Sequence, residues 1–111
     1  MYNKMKGYRV ERKVKLMFVA DGWKVVRAGG SLGEYDLIAF KNGECVFLQI
    51  KSTKKDKFYY YGYMEDKYEG FPFRLVVDFG RGNVRITKPG KMLTASEGEG
   101  LEDFLHGNSF H

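Results

Sequence analysis

Residues 33–51 read GEYDLIAFKNGECVFLQIK, and this stretch decides the fold. Tyr35 to Phe40 reads as a strand. Lys41-Asn42-Gly43-Glu44 carries the Asn-Gly signal of a tight hairpin turn, because both central residues accept a positive φ. Cys45 to Lys51 reads as the next strand, and its run Val46-Phe47-Leu48 predicts burial on both faces. Side chains alternate faces along a strand, so Asp36, Ile38 and Phe40 share one face. Gln49 and Lys51 share one face of the partner strand. The tight turn pairs the two strands, which brings Asp36 near Gln49 and Lys51.

The pattern extends outward on both sides. Asn3 to Ala20 has helical periodicity, with Val10, Val14, Met17 and Asp21 along one line and Phe18 and Gly7 beside it. Gly22 stops that helix. Trp23 to Ala28 reads as a first strand, followed by the glycine-rich loop Gly29-Gly30-Ser31-Leu32-Gly33. Beyond the hairpin, Phe58 to Gly70 is rich in tyrosine, with room for at most a short helix. Phe73 to Phe79 and Asn83 to Thr87 read as a second hairpin around Gly80-Arg81-Gly82. Pro89-Gly90 is expected to end the sheet, and Leu101 to Leu105 to make one helical turn. The class is α/β, with a first helix and a mixed central sheet in the order αβββ(α)ββ.

A length of 111 residues suits one domain with a small core, which a dimer would help to complete. We divide it into a domain over 1–93 and an acidic tail over 94–111. With 43% hydrophobic and 16% aromatic residues the chain is not of disordered composition. No apolar run approaches the ~20 residues of a membrane-spanning helix. The first residues, MYNKMKGYRVERK, lack the apolar core of a signal peptide. Cys45 stands alone, which excludes an internal disulfide framework and a cysteine-based zinc cluster. An intracellular, cytoplasmic setting is the simplest expectation, with no membrane partner.

Charge is distributed unevenly. Residues 1–27 carry a net +6, residues 51–57 a net +3, and residues from Thr94 onward a net −4. Residues 1–93 therefore carry +9 of the total. Such a field suits a polyanion, with nucleic acid the default. A solvated lysine-rich surface that binds nothing is the ordinary alternative.

Glu11 lies at the edge of the helix's apolar stripe, beside Val14 and Phe18, so its carboxylate points at the sheet margin. Together with Asp36, Gln49 and Lys51 it offers a site for a hard divalent cation. Mg²⁺ takes few protein oxygens and keeps several waters, and a lysine can stabilise charge building on a phosphate. Alone, each residue has a plain explanation. Glu11 would be a solvated helix residue, Asp36 an acceptor for the glycine loop, Gln49 an ordinary strand amide, and Lys51 a strand-end charge.

The ordered set GYRVERKVK (7–15), GWKVVRAGGS (22–31), GEYDLIAF (33–40) and VFLQIKSTKKD (46–56) resembles the PD-(D/E)XK nuclease superfamily. Within it, the chain is similar to the archaeal Holliday-junction resolvases. A weaker likeness returns in LTASEGEGLEDFL (93–105). The resemblance implies a restriction-endonuclease-like core and a Mg²⁺ cofactor, with Mn²⁺ able to substitute. It implies Glu11 and Asp36 as metal-site carboxylates, Gln49 and the backbone carbonyl of Ile50 as further ligands, and Lys51 as the catalytic lysine. It implies Ser31 near the scissile phosphate, and Arg12, Arg27, Lys54 and Lys55 as DNA-contacting residues. There are two departures from the family pattern. Gln49 stands where the family usually has Glu; an amide oxygen can ligate a cation but brings no charge and cannot act as a base. Related enzymes also carry a full helix between the third and fourth strands, where only Tyr59 to Gly70 is available here.

Three functions follow as expectations. The first is a Mg²⁺-dependent endonuclease that resolves four-way DNA junctions as a homodimer, whose two-fold symmetry would match the junction's. The second is another nuclease of the superfamily acting on nicks, flaps or damage. The third is a DNA-binding protein that keeps the fold without the chemistry. Tyr59, Tyr60, Tyr61 and Tyr63 are candidates for base stacking or for core and dimer surface. Cys45 reads as a small core residue, and His106 and His111 have no assigned role.

Overall fold

The computed structural model describes residues 4–28 and 34–107, with side chains described from Tyr8 onward. Helix α1 spans Lys4–Ala20 and leads into strand β1, Lys24–Arg27. Val10, Val14 and Phe18, one turn apart, are its buried ridge. The helix ends as its sequence predicts, at Gly22, whose φ of 92° costs a glycine little. The Gly22 N–H donates to the Val19 carbonyl at 3.0 Å and the Trp23 N–H to the Phe18 carbonyl at 3.1 Å, a Schellman closure. The accompanying apolar contact is the edge-on packing of Phe18 against Trp23, with ring centroids 5.5 Å apart.

Strands β2, Leu37–Lys41, and β3, Glu44–Ser52, form the expected hairpin. Its turn residues Asn42 and Gly43 have φ of 51° and 81°, as that two-residue turn requires. Val46, Phe47 and Leu48 are all buried, because both faces of β3 are covered. Strand β3 then runs parallel to a later strand, and parallel neighbours need a crossover between them. Residues 53–70 supply it without a helix. They contain β4, Lys57–Tyr59, and β5, Lys67–Tyr68. The short helix allowed for this segment is not formed; the chain pairs as strands instead.

The parallel neighbour is β6, Phe71–Asp78, which turns back through Gly80-Arg81-Gly82 into β7, Val84–Thr87. Pro89-Gly90 does not end the sheet. Strand β8, Met92–Thr94, pairs with β4, and β9, Glu99–Gly100, returns to pair with β7. The main sheet runs β1-β2-β3-β6-β7-β9, with β5 alongside β6. Helix α2, Leu101–Gly107, closes the described chain.

The sheet has two unequal cores. On one face α1 and α2 cover Leu37, Ala39, Val46, Leu48, Ile50, Val76 and Ile86. On the other, Tyr60 and Leu93 cover Leu75 and Val77. Leu101, Phe104 and Leu105 belong to the first core, so the segment set apart by its acidic charge is packed on the domain. No helix among the described residues is long and apolar enough to cross a membrane.

Candidate active site

The hairpin register pairs Leu37 with Leu48, which sets Asp36 opposite Gln49 at the open end of the β2–β3 ladder. The Asp36 N–H donates to the Leu48 carbonyl at 2.7 Å. Its carboxylate then takes over where the strand stops. Asp36 Oδ2 accepts from Gln49 Nε2 at 2.8 Å and from the Ile50 N–H at 2.7 Å. In a strand, a residue's N–H and C=O point to the same side. The Ile50 carbonyl is therefore turned toward the gap beyond β2. Lys51 lies two residues from Gln49, exposed and on the same sheet face, and its charge reaches Asp36.

Burial is the largest influence on Asp36 and raises its pKa. The Ile50 N–H, Lys51 and Arg27 act the other way but do not overcome it. The site thus keeps a partly desolvated carboxylate that gains from a nearby positive charge. Both N–H donors fall on Oδ2, which leaves Oδ1 without a hydrogen bond among the described residues. The amide of Gln49 is oriented by its donation, so Oε1 is directed away from the carboxylate.

Glu11 lies one arginine away. Its Oε1 accepts from Arg27 Nε at 3.1 Å, and the Glu11 side chain is mostly buried at the sheet margin. The Arg27 guanidinium also sits 4.9 Å from the centre of the Tyr8 ring. Glu11, Arg12, Arg27 and Tyr8 line a small cavity of about 130 Å³. Lys54 and Lys55 are exposed in the turn after β3, where the Lys55 N–H donates to Thr53 Oγ1 at 3.1 Å. Ser31 lies outside the described residues.

The structure therefore brings Asp36, Gln49, Ile50 and Lys51 together, with Arg27 between them and Glu11. No cluster of three or more Asp, Glu, His or Cys side chains occurs among the described residues. The donor set still fits a hard cation, because Mg²⁺ asks for one or two carboxylates and fills its shell with water. Asp36, the Gln49 amide oxygen and the Ile50 carbonyl would hold it.

One neighbour was assigned only to core, dimer surface or base stacking on sequence grounds. Tyr60 is buried between β4 and β6, its ring on Leu75 and Val77. Those two residues are the register partners of Gln49 and Lys51. Burial and the Asp36 charge push the Tyr60 hydroxyl up to about 12. The nearby Gly62 was the available signal in the sequence. Tyr63 is half-buried, while Tyr59 and Tyr61 are exposed.

A family model described as archaeal Holliday junction resolvase (Hjc) matches residues 2–98. The chain belongs to the Hjc family. Within that family, the crossover junction endodeoxyribonuclease Hjc of Methanocaldococcus jannaschii is 41% identical over 54 residues, covering 49% of this chain and 40% of the relative. The matched part thus spans well under half of that relative's length. Among solved structures, the Hjc Holliday junction resolvase of Archaeoglobus fulgidus aligns with a TM-score of 0.62 at 17% identity, covering 80% of this chain and 84% of that one. The bacterial homing endonuclease I-Ssp6803I aligns with a TM-score of 0.58 at 16% identity, covering 83% and 73%. These likenesses agree with a restriction-endonuclease-like fold for this chain.

Proposed function

We propose that this Hjc-family chain is a Mg²⁺-dependent, structure-selective DNA endonuclease that resolves four-way junctions by paired phosphodiester hydrolysis. The observation that carries the reading is the Asp36 carboxylate. It is fixed by Gln49 and Ile50 at the open end of a hairpin, with Lys51 beside it. A bound divalent cation supplies Lewis-acid polarisation of the scissile phosphate and eases deprotonation of the attacking water. Asp36 provides the anionic ligand, and its orientation is held by two N–H donors. Gln49 provides a neutral oxygen, and Lys51 stabilises negative charge on the phosphate as the bond to the attacking oxygen forms. Glu11 joins the ligand set by exchanging Arg27 for the cation, which frees Arg27 for a phosphate. Arg12, Lys54 and Lys55 contact the DNA backbone.

The working form is a homodimer, which gives the two cleavage sites that a two-fold junction needs. Exposed apolar side chains on the sheet support this. Phe40 and Phe71 line a groove of about 720 Å³. A second reading, a DNA-binding protein without chemistry, draws support from Gln49 and from Glu11 being engaged by Arg27. One experiment separates them. Labelled four-way junction, flap and duplex are incubated with the protein, with and without Mg²⁺. Paired incisions in the junction alone, only with Mg²⁺, support the resolvase. Tight junction binding without any incision supports the second reading.

A further inference from the structure

We infer that Tyr60 is a positioning residue of the cation site, its hydroxyl donating to the Asp36 carboxylate, directly or through one water, when a divalent cation is held there. The inference rests on the nuclease reading above. Tyr60 is 2% exposed; its hydroxyl oxygen lies by the Tyr63 N–H, and the hydroxyl proton finds no acceptor among the described residues. A buried donor without an acceptor is costly, and phenylalanine would fill the same space without that cost. The hydroxyl therefore calls for a reason beyond packing.

Two further observations point to Asp36, and a third explains how the hydroxyl is accommodated. The ring packs on Leu75 and Val77, beside the strand positions of Gln49 and Lys51 on the same sheet face. Asp36 is the charge whose field reaches the hydroxyl. Gly62 leaves the space that the hydroxyl needs, since a Cβ there would fall 2.5 Å from the Tyr60 oxygen. The hydroxyl stays neutral at any working pH, because it is pushed up to about 12. A neutral donor steadies the carboxylate without adding a positive charge to compete with the cation, as a lysine would.

The test is Tyr60→Phe, which keeps the ring. Mn²⁺ binding to cation-free protein is measured by calorimetry, with melting temperature, cation-free junction affinity and the Mg²⁺ midpoint of cleavage measured alongside. We expect melting unchanged or raised and junction affinity within about twofold. Mn²⁺ affinity should weaken about fivefold, the worth of one ordinary hydrogen bond, with the cleavage midpoint rising in proportion. Unchanged Mn²⁺ affinity and midpoint would overturn the inference, as would lowered melting with unchanged Mn²⁺ affinity, which marks a purely structural hydroxyl. Wild-type protein that binds no Mn²⁺ removes the nuclease reading itself, and this inference with it.

Discussion

Burial raises the Asp36 pKa, and the Ile50 N–H, Lys51 and Arg27 offset only part of that rise. A carboxyl whose folded pKa is raised favours the folded state most when protonated. That contribution is present below its ordinary value of 3.8 and is lost as pH rises through the folded pKa. Without a cation, ionising Asp36 costs the fold stability. Asp36→Asn should therefore melt at or above the wild type at pH 7 in chelator. Saturating Mg²⁺ should raise the wild type by roughly 5–10 °C and leave the variant unmoved. Thermal melts with and without Mg²⁺ check both halves; a variant that melts far lower in chelator would mean that the hydrogen bonds outweigh burial. Gln49 is coupled to the same group, because its amide donates to Asp36 across 2.8 Å. Gln49→Glu replaces that donor with a second carboxylate. It should lower melting in chelator, tighten cation binding, and keep or raise cleavage at low Mg²⁺. Loss of cleavage at every Mg²⁺ concentration would show that donation to Asp36 is itself required.

The β2–β3 hairpin was legible in the sequence because its signals are local. Asn42-Gly43 specifies the turn, and alternation then places Asp36 against Gln49 without reference to the rest of the chain. The crossover over residues 53–70 was not legible. Its β4 pairs with β8, more than 30 residues later, and no local pattern announces such a partner. The placement of Tyr60 depends on that crossover, and the Glu11–Arg27 ion pair depends on two side chains meeting across layers. The helical turn at Leu101 to Leu105 was legible, but the acidic charge of residues 94–111 hid that Leu101, Phe104 and Leu105 are buried in the main core. Leu101 is 1% exposed, so Leu101→Ala should cost about 2–5 kcal/mol by chemical denaturation. A cost near zero would mean that α2 does not hold to the sheet in solution.

Across the whole molecule, the positive charge is concentrated in residues 1–27 and in the segment 51–57 that begins at Lys51. Junction binding in chelator should weaken steeply with salt, by roughly 0.9 log units per neutralised phosphate for each tenfold change. Replacing Lys54 and Lys55 with Ala should flatten that slope and weaken junction, flap and duplex alike; affinity that ignores salt would contradict this account of the charge. The central claim, that Lys51 acts in chemistry at a cation site while other cations hold the DNA, has one direct measurement. Wild type and Lys51→Ala are compared on the same labelled four-way junction, with binding measured in chelator and cleavage in Mg²⁺. The account predicts paired incisions by the wild type, none by Lys51→Ala, and junction affinities within about threefold of each other. Undiminished cutting by Lys51→Ala would contradict it.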